Sequence, residues 1–341
     1  MRLSFCCVSY NHGKYISKTI KSIVDARLND IEIIIVDDGS SDNSQEIIND
    51  CVNFYKNYQF KVIFQKNTGN IGKNFNKALS EASGDYITFI ALDDYYISKE
   101  LAEGFKVISS DPSLAFVTHN DVIPVDDTGK EILGYTKILT CTDGITVEDL
   151  LNLEYSKFGS FYLQGCIFRT DVIRDVGGFD EDMLGDDIVL RTKVFRYLQA
   201  HHELNFVFLP RPVCCYRRHK SNISGNSVRQ FEIVSQYLER YWHNCEPPEI
   251  LYAWSRSAIN NVSADKVFDM LSFNQMAAKT LRDTKTQKFL LKKLMRSNPF
   301  MGLWFSLKGI CYYLVRRERP GNHERVIVLF SFIRLKYRKH K

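Results

Sequence analysis

Three acidic clusters close or interrupt apolar runs in this sequence, and their side chains are equipped for chemistry. Asp37-Asp38 ends the run Ile33 to Val36 and opens Gly39-Ser40-Ser41-Asp42. A carboxylate there can accept hydrogen bonds from a base N–H or from ribose hydroxyls, and Gly39 lets the backbone turn closely. An ordinary turn whose Asp caps the next helix would use the same residues. Asp93-Asp94 follows Tyr86 to Leu92, a run of mostly apolar residues. Adjacent acids at a buried strand end repel each other, so a divalent cation is the natural compensator, and oxygen ligands favour Mg²⁺ or Mn²⁺ over zinc. A solvated turn is the plainer alternative. The third cluster runs from Asp180-Glu181-Asp182 to Gly185-Asp186-Asp187, at the mouth of a helical stretch from Ile188 to Tyr197. An acid at a helix start commonly serves as a cap favoured by the dipole.

The elements that must position these groups alternate along the first 120 residues. Leu3 to Ser9, Ile31 to Asp37, Phe60 to Gln65, Tyr86 to Leu92 and Leu114 to His119 read as buried strands. Tyr15 to Ala26, Asn43 to Tyr55, Ile71 to Ala82 and Lys99 to Ser109 read as amphipathic helices, with Asp42 and Ser98 as N-caps. Such alternation predicts a parallel sheet with right-handed crossovers, whose ligand crevice lies beyond the carboxyl ends of the strands. Ser9-Tyr10-Asn11-His12, Asp37 to Asp42 and Asp93-Asp94 all follow strands, so they are expected to converge. From about 120 to 225 the pattern is less regular, with a short helix at Val147 to Leu153, a strand near Cys166 to Arg169, the turn Gly177-Gly178-Phe179-Asp180 and a strand from Phe206 to Tyr216. After about Ser227 it turns helical.

Composition narrows the function classes. The chain has 341 residues, 45% hydrophobic and 25% charged, which excludes collagen-like, low-complexity and wholly disordered classes. No G-x-G-x-x-G follows the first strand and no G-x-x-x-x-G-K-[ST] occurs, so a Rossmann dehydrogenase or P-loop NTPase has little support. The nine cysteines show no repeated spacing and read as buried thiols. The start, Met1-Arg2-Leu3-Ser4-Phe5, enters a strand-like run without a signal-type region, making the cytoplasm the expected compartment. From Lys279 to Lys341 there are 17 Lys and Arg against 3 Asp and Glu, leaving a net acidic remainder. Inside this basic tail, the apolar stretches Phe300 to Val315 and Val326 to Leu335 fall short of the roughly 20 residues that cross a bilayer. An in-plane helix on an anionic membrane surface is the expectation, with a solvated helical cap as the alternative. No nucleic-acid partner is expected, because the tail lacks aromatic interleaving or a recognised motif.

Taken together, Val8-Ser9-Tyr10-Asn11, Ile35-Val36-Asp37-Asp38-Gly39-Ser40-Ser41-Asp42, Gly84-Asp85-Tyr86-Ile87 leading to Asp93-Asp94, Gly177-Gly178-Phe179-Asp180-Glu181 and Gly185-Asp186-Asp187 occur in an order that resembles family 2 glycosyltransferases with the GT-A fold. The resemblance spans about residues 1 to 225. It implies an α/β, Rossmann-like fold with a mostly parallel central sheet flanked by helices, in a domain over 1–226 (nucleotide-binding half 1–120, acceptor half 121–226), followed by a helical basic region over 227–341.

The resemblance also assigns roles. Ser9, Asn11, Asp37, Asp38 and Asp93 would bind the nucleotide, and Asp93, Asp94 and His219 would hold Mn²⁺ or Mg²⁺. Arg217, Arg218 and His219, in a segment continuing to Asn222 and Ser224, would close over the diphosphate. Asp187 or its neighbour Asp186 would be the catalytic base. Related sequences often read D-x-D-D where this one has Ala91-Leu92-Asp93-Asp94, so one acid is missing. The implied activity is inverting transfer from a nucleotide sugar, UDP first, to a saccharide acceptor. That acceptor is expected on a polyprenyl diphosphate, in surface polysaccharide synthesis at the inner face of the cell membrane. A catalytically silent nucleotide-sugar-binding or scaffold module of the same fold is the alternative, and Ala91 is its support.

Overall fold

The computed structural model describes residues 1–134, 144–219 and 225–297, and the backbone of two strands at 324–329 and 333–338. The chain folds as two compact units, Met1–Ser221 and Asn222–Lys341.

The first unit opens with the alternation read from the sequence: β1 (Leu3–Ser9), α1 (Gly13–Val24), β2 (Ile31–Asp37), α2 (Ser44–Phe54), β3 (Gln59–Phe64), α3 (Ile71–Glu81) and β4 (Tyr86–Ala91). There follow β5 (Tyr95–Tyr96), α4 (Ser98–Ser110), β6 (Leu114–His119), β7 (Val122–Val125), α5 (Val147–Lys157), β8 (Ile167–Arg169), α6 (Thr170–Asp175), α7 (Asp187–Ala200), β9 (Asn205–Leu209) and β10 (Cys214–Arg217). A seven-stranded sheet has the order β3-β2-β1-β4-β8-β6-β9, and β5-β10-β7 form a smaller one. β1, β2, β3 and β4 pair in parallel, as do β6 and β9, while β8 runs antiparallel between β4 and β6. β1 and β2 are buried along their whole length, as expected where helices cover both faces of a parallel sheet. Phe5, Cys7, Ile16, Ile20, Ile33, Ile35, Ile90 and Leu101 belong to the core between β1, β2, β4 and the helices. Cys6, Cys7, Cys51, Cys166, Cys214 and Cys215 are buried free thiols.

Local details depart from the expectations. The run from Phe206 to Tyr216 is two strands in two sheets, because Pro210 and Pro212 cannot donate to a ladder and break it between them. Asn43 and Ile97 occupy the N-cap positions expected for Asp42 and Ser98. Asp42 still accepts the Ser44 N–H at 3.0 Å.

In the second unit, α8 (Ser227–Tyr241), α9 (Glu249–Asn261), α10 (Val267–Leu271), α11 (Gln275–Lys279) and α12 (Thr284–Ser297) confirm the helical reading after residue 227. Asn226 caps α8 by accepting the N–H groups of Val228 and Arg229. Phe231, Tyr237, Leu238, Leu251, Ile259 and Leu271 are buried. The stretch Val326 to Leu335 departs from the expected in-plane helix: β11 (Glu324–Leu329) and β12 (Ile333–Arg338) pair antiparallel, in keeping with the strand preference of Val326, Ile327, Val328, Ile333 and Tyr337. The stretch Phe300 to Val315 lies outside the described residues, as do Asn222 and Ser224. Among the described residues no helix is long and apolar enough to cross a membrane.

Candidate active site

Parallel pairing sets the ends of β1 and β2 side by side, with Ser9 opposite Asp37. The next N–H, that of Asp38, donates to the Ser9 carbonyl at 2.8 Å. Asn11 has a positive φ of 57°, a conformation that Asn tolerates better than most residues. There its Oδ1 accepts the N–H groups of Ser41 (2.8 Å) and Asp42 (3.3 Å), while its own N–H donates to Ser40 Oγ. Asn11 therefore braces the Gly39 to Asp42 turn. Asp37, fully buried, holds the same turn from below through Ser40 N–H (2.9 Å), Ser40 Oγ (2.6 Å) and Gln45 (3.2 Å).

Asp38 faces the segment leading into α3. Its Oδ1 accepts Gln65 Nε2 (3.0 Å) and the Thr68 N–H (2.8 Å), and its Oδ2 accepts Thr68 Oγ1 and the Gly69 N–H, both at 3.1 Å. Burial pushes this carboxyl up, but the hydrogen bonds outweigh burial and hold it below the usual range. A Cβ at Gly39, where φ is +74°, would stand 2.7 Å from the Asn67 backbone N, so glycine is required there.

The end of β4 lies on the other side of β1, with Ala91 opposite Val8. Asp93 is buried, with Oδ2 at 3.0 Å from His219 Nε2 and 3.8 Å from His12 Nε2. Among the described residues nothing hydrogen-bonds its buried Oδ1, nor Ser9 Oγ or His12 Nδ1. Burial raises Asp93, but the His219 hydrogen bond and the two imidazoles beside it bring it below the ordinary carboxylate range. Asp94 is oriented differently: Oδ1 accepts the Arg217 N–H at 2.7 Å and Oδ2 accepts Gln164 Nε2 at 3.3 Å. Burial and the neighbouring Asp93 push Asp94 well above the usual range.

Arg217, expected on the diphosphate, is 3% exposed. Its Nε donates to the Asp93 carbonyl (2.8 Å) and its Nη1 to the carbonyls of Asp126 (3.1 Å) and Asp127 (3.0 Å), with Tyr15 under the guanidinium at 4.5 Å. It joins the Asp93 turn, the 126–127 loop and α1. His219 stacks on Tyr15, and Arg218 is exposed beyond β10 with its N–H on the Val125 carbonyl.

The third cluster is tied to this region by two sets of contacts. Asn76 donates to the Phe179 carbonyl and to Glu181, and Asn70 donates to the Glu181 carbonyl, fastening the Gly178 to Glu181 turn to α3. The loop before β8 carries both Gln164, bonded to Asp94, and Ser160, bonded to Glu154. Glu154 is fully buried and paired with Arg191, whose Nη1 donates to Asp187 Oδ2 at 2.9 Å. Asp187 begins α7, its side chain is 46% exposed, and its Oδ1 accepts the Ile188 N–H at 2.7 Å. Asp186 precedes the helix without a side-chain cap bond; burial first, then the charge of Asp187, push it up to about 6.

Sequence reasoning gave no role to His12, Thr68, Gln164, Glu154 or Arg191. His12 had a signal, because it directly follows the Ser9 to Asn11 cluster at a strand end. Arg191 had a fainter one: it is one of two cations, with Lys193, in the otherwise mostly apolar stretch from Ile188 to Phe195, and it lies one helical turn after Asp187.

Residues 4–160 match the sequence profile of glycosyl transferase family 2. Through this segment the chain is similar to glycosyltransferase family 2. The chain is 26% identical over 247 residues to the GalNAc(5)-diNAcBac-PP-undecaprenol beta-1,3-glucosyltransferase of Campylobacter jejuni, covering 70% of this chain and 72% of that one. Its fold is similar to residues 1–349 of Staphylococcus aureus TarS in complex with UDP-GlcNAc, with a TM-score of 0.55 at 16% identity over 87% of this chain and 80% of that one. It is also similar to the mannosyltransferase PcManGT of Pyrobaculum calidifontis in complex with GDP-Man and Mn²⁺, with a TM-score of 0.53 at 14% identity over 89% and 86%. The chain has the mixed α/β, mostly parallel architecture of those structures. It spans about half or less of the length of the first curated relatives it matches.

Proposed function

We propose that this protein is a family 2 glycosyltransferase that moves a sugar from a UDP-sugar, with inversion, to a saccharide acceptor carried on a polyprenyl diphosphate. The observation that carries the reading is the buried Asp93 carboxylate, whose Oδ1 has no hydrogen-bond partner among the described residues although two imidazoles flank its Oδ2. An ionised, desolvated oxygen left open at the end of a parallel strand calls for a cationic ligand. Among the described residues no three His, Cys, Asp or Glu side chains form a metal cage by themselves. That donor set suits Mg²⁺ or Mn²⁺, which take one or two protein ligands and complete their shell with substrate phosphate and water. Asp93 and His219 would hold the ion, and Asp94, engaged by Arg217 and Gln164, would stand behind them. When bound, a divalent cation offsets the charge that builds on a departing diphosphate.

The chain's own residues supply the rest. Ser9, Asn11, Asp37 and Asp38 shape the crevice at the ends of β1 and β2, where base and ribose would lie. Arg218 would add a donor beside the diphosphate. Asp187, half-exposed and anchored through Arg191 and the Ile188 N–H, would take the proton of the acceptor hydroxyl as its oxygen bonds to the anomeric carbon. The bond from that carbon to the diphosphate breaks, and its electron pair leaves with UDP. A base positioned this way contributes about 10²–10⁴ in rate. Asp187 is preferred to Asp186 because its carboxylate is the one held by a cation and open to solvent. The lipid-linked acceptor draws on the Campylobacter relative's undecaprenol-linked substrate, and the basic stretch from Lys279 to Lys341 supports docking on the inner face of the cell membrane.

Thermal unfolding with UDP, UDP-N-acetylglucosamine and GDP-mannose, each with and without Mn²⁺, tests the donor class. A ligand at a hundred times its Kd adds about 2.7 kcal/mol to the folded state. Stabilisation by a UDP-sugar that depends on Mn²⁺, with loss of UDP release in Asp187→Asn, supports the enzyme. Ala91 favours the silent module, and nucleotide binding indifferent to Mn²⁺ with an inert Asp187→Asn change would decide for it. Flotation with phosphatidylglycerol vesicles, lost on removing residues 279–341, tests the membrane attachment.

A further inference from the structure

Arg191 is 2% exposed, and three of its donors have partners at close range. Nε and Nη2 both go to Glu154, at 2.8 and 3.1 Å, while Nη1 reaches Asp187 Oδ2 at 2.9 Å. Glu154 comes from α5, is fully buried and accepts Ser160 Oγ as well. The guanidinium lies 5.5 Å from the Phe161 ring. A buried ion pair is a poor source of net stability, since apolar residues of the same volume usually serve as well. This one has a third arm, and that arm ends on the half-exposed carboxylate assigned above as the base.

Glu154 engages two of the guanidinium donors from the far side, so Arg191 is fixed in one orientation before its remaining arm reaches Asp187. The nearby Asp180 is held separately, by Lys193 at 3.0 Å.

We infer that Glu154 and Arg191 are a positioning pair that fixes the Asp187 carboxylate for proton transfer. This rests on Asp187 as the base, and the test separates the two. The double variant Glu154→Met/Arg191→Met removes both buried charges together, so it is expected to fold, which urea unfolding checks. Its kcat for UDP release from UDP-N-acetylglucosamine should fall about tenfold or more with KM unchanged, because donor binding does not depend on where the base points. Arg191→Lys, which keeps a cation but loses the fork, should lose kcat in the same way while the protein stays folded. Wild-type kcat in the double variant, or a loss carried by KM instead of kcat, overturns the inference. Wild-type turnover by Asp187→Asn would instead remove the base assignment itself.

Discussion

Asp38 and Asp93 occupy matching positions, each just past the carboxyl end of a buried parallel strand beside β1, yet the protein treats them in opposite ways. Asp38 receives four hydrogen bonds from the 65–69 segment, two on each oxygen. Asp93 has a histidine hydrogen-bonded to one oxygen and, among the described residues, no hydrogen bond on the other. A carboxylate filled by its own chain builds the walls of a site, whereas one left open inside the protein awaits a ligand. The largest expected effect comes from closing that difference. Asp93→Asn should lower Mn²⁺-dependent sugar transfer by about 10³-fold with little change in melting temperature, measured as UDP release. Near-wild-type transfer would make Asp93 another structural acid.

The reverse experiment strikes Asp38. Asp38→Ala leaves the donors of Gln65, Thr68 and Gly69 without their acceptor in a partly exposed segment and should cost about 2 kcal/mol of stability in urea unfolding. Asp38 also gives a pH signature. Its carboxyl is held below the usual range in the folded state, so it stabilises the fold above the unfolded pKa of about 3.9 and loses that effect as pH falls through the lower folded value. The stability gap between wild type and Asp38→Asn should be full at pH 6 and shrink below about pH 4. A gap that grows on acidification would contradict the saturated role.

Much of this contrast could not be seen in the sequence. The strands were legible because runs such as Ile31 to Val36 admit few other readings, and polar clusters directly after them marked the working edge of the sheet. Which member of Asp93-Asp94 faces outward was not legible. It depends on the Arg217 N–H and Gln164, 123 and 70 residues from Asp94 in sequence. Arg217 itself read as a phosphate donor, and only the tertiary path of β10 brings it onto the carbonyls of Asp93, Asp126 and Asp127. Glu154 and Arg191, 37 residues apart, share no sequence pattern that links them, and only the packing of α5 on α7 places them together. Local pattern reports strand ends; long-range partners decide what each acid there is for.

A smaller effect is expected where Asp93 meets its neighbour. His219→Gln keeps a hydrogen-bonding side chain near Asp93 Oδ2 but removes the imidazole, and should weaken Mn²⁺ binding by about 10–100-fold in calorimetry. Unchanged Mn²⁺ affinity would leave Asp93 without His219 as a co-ligand and narrow the open side to one residue.

The smallest change sharpens the closed side. Thr68 Oγ1 donates toward Asp38 Oδ2 at 3.1 Å and lies 3.0 Å from Asn74 Oδ1, while accepting the Asn70 N–H at 3.2 Å. Thr68→Val preserves shape and removes this hub, yet Asp38 keeps Gln65 and the N–H groups of Thr68 and Gly69. With three of four donors left, the carboxylate stays satisfied, and the loss should be about 1 kcal/mol in urea unfolding. Mn²⁺ dependence of turnover should not move, because nothing in this hub reaches Asp93. A loss as large as that of Asp38→Ala would mean that the hydroxyl, rather than the backbone N–H groups, organises the turn. The closed side would then owe its form to one side chain instead of a shared cradle.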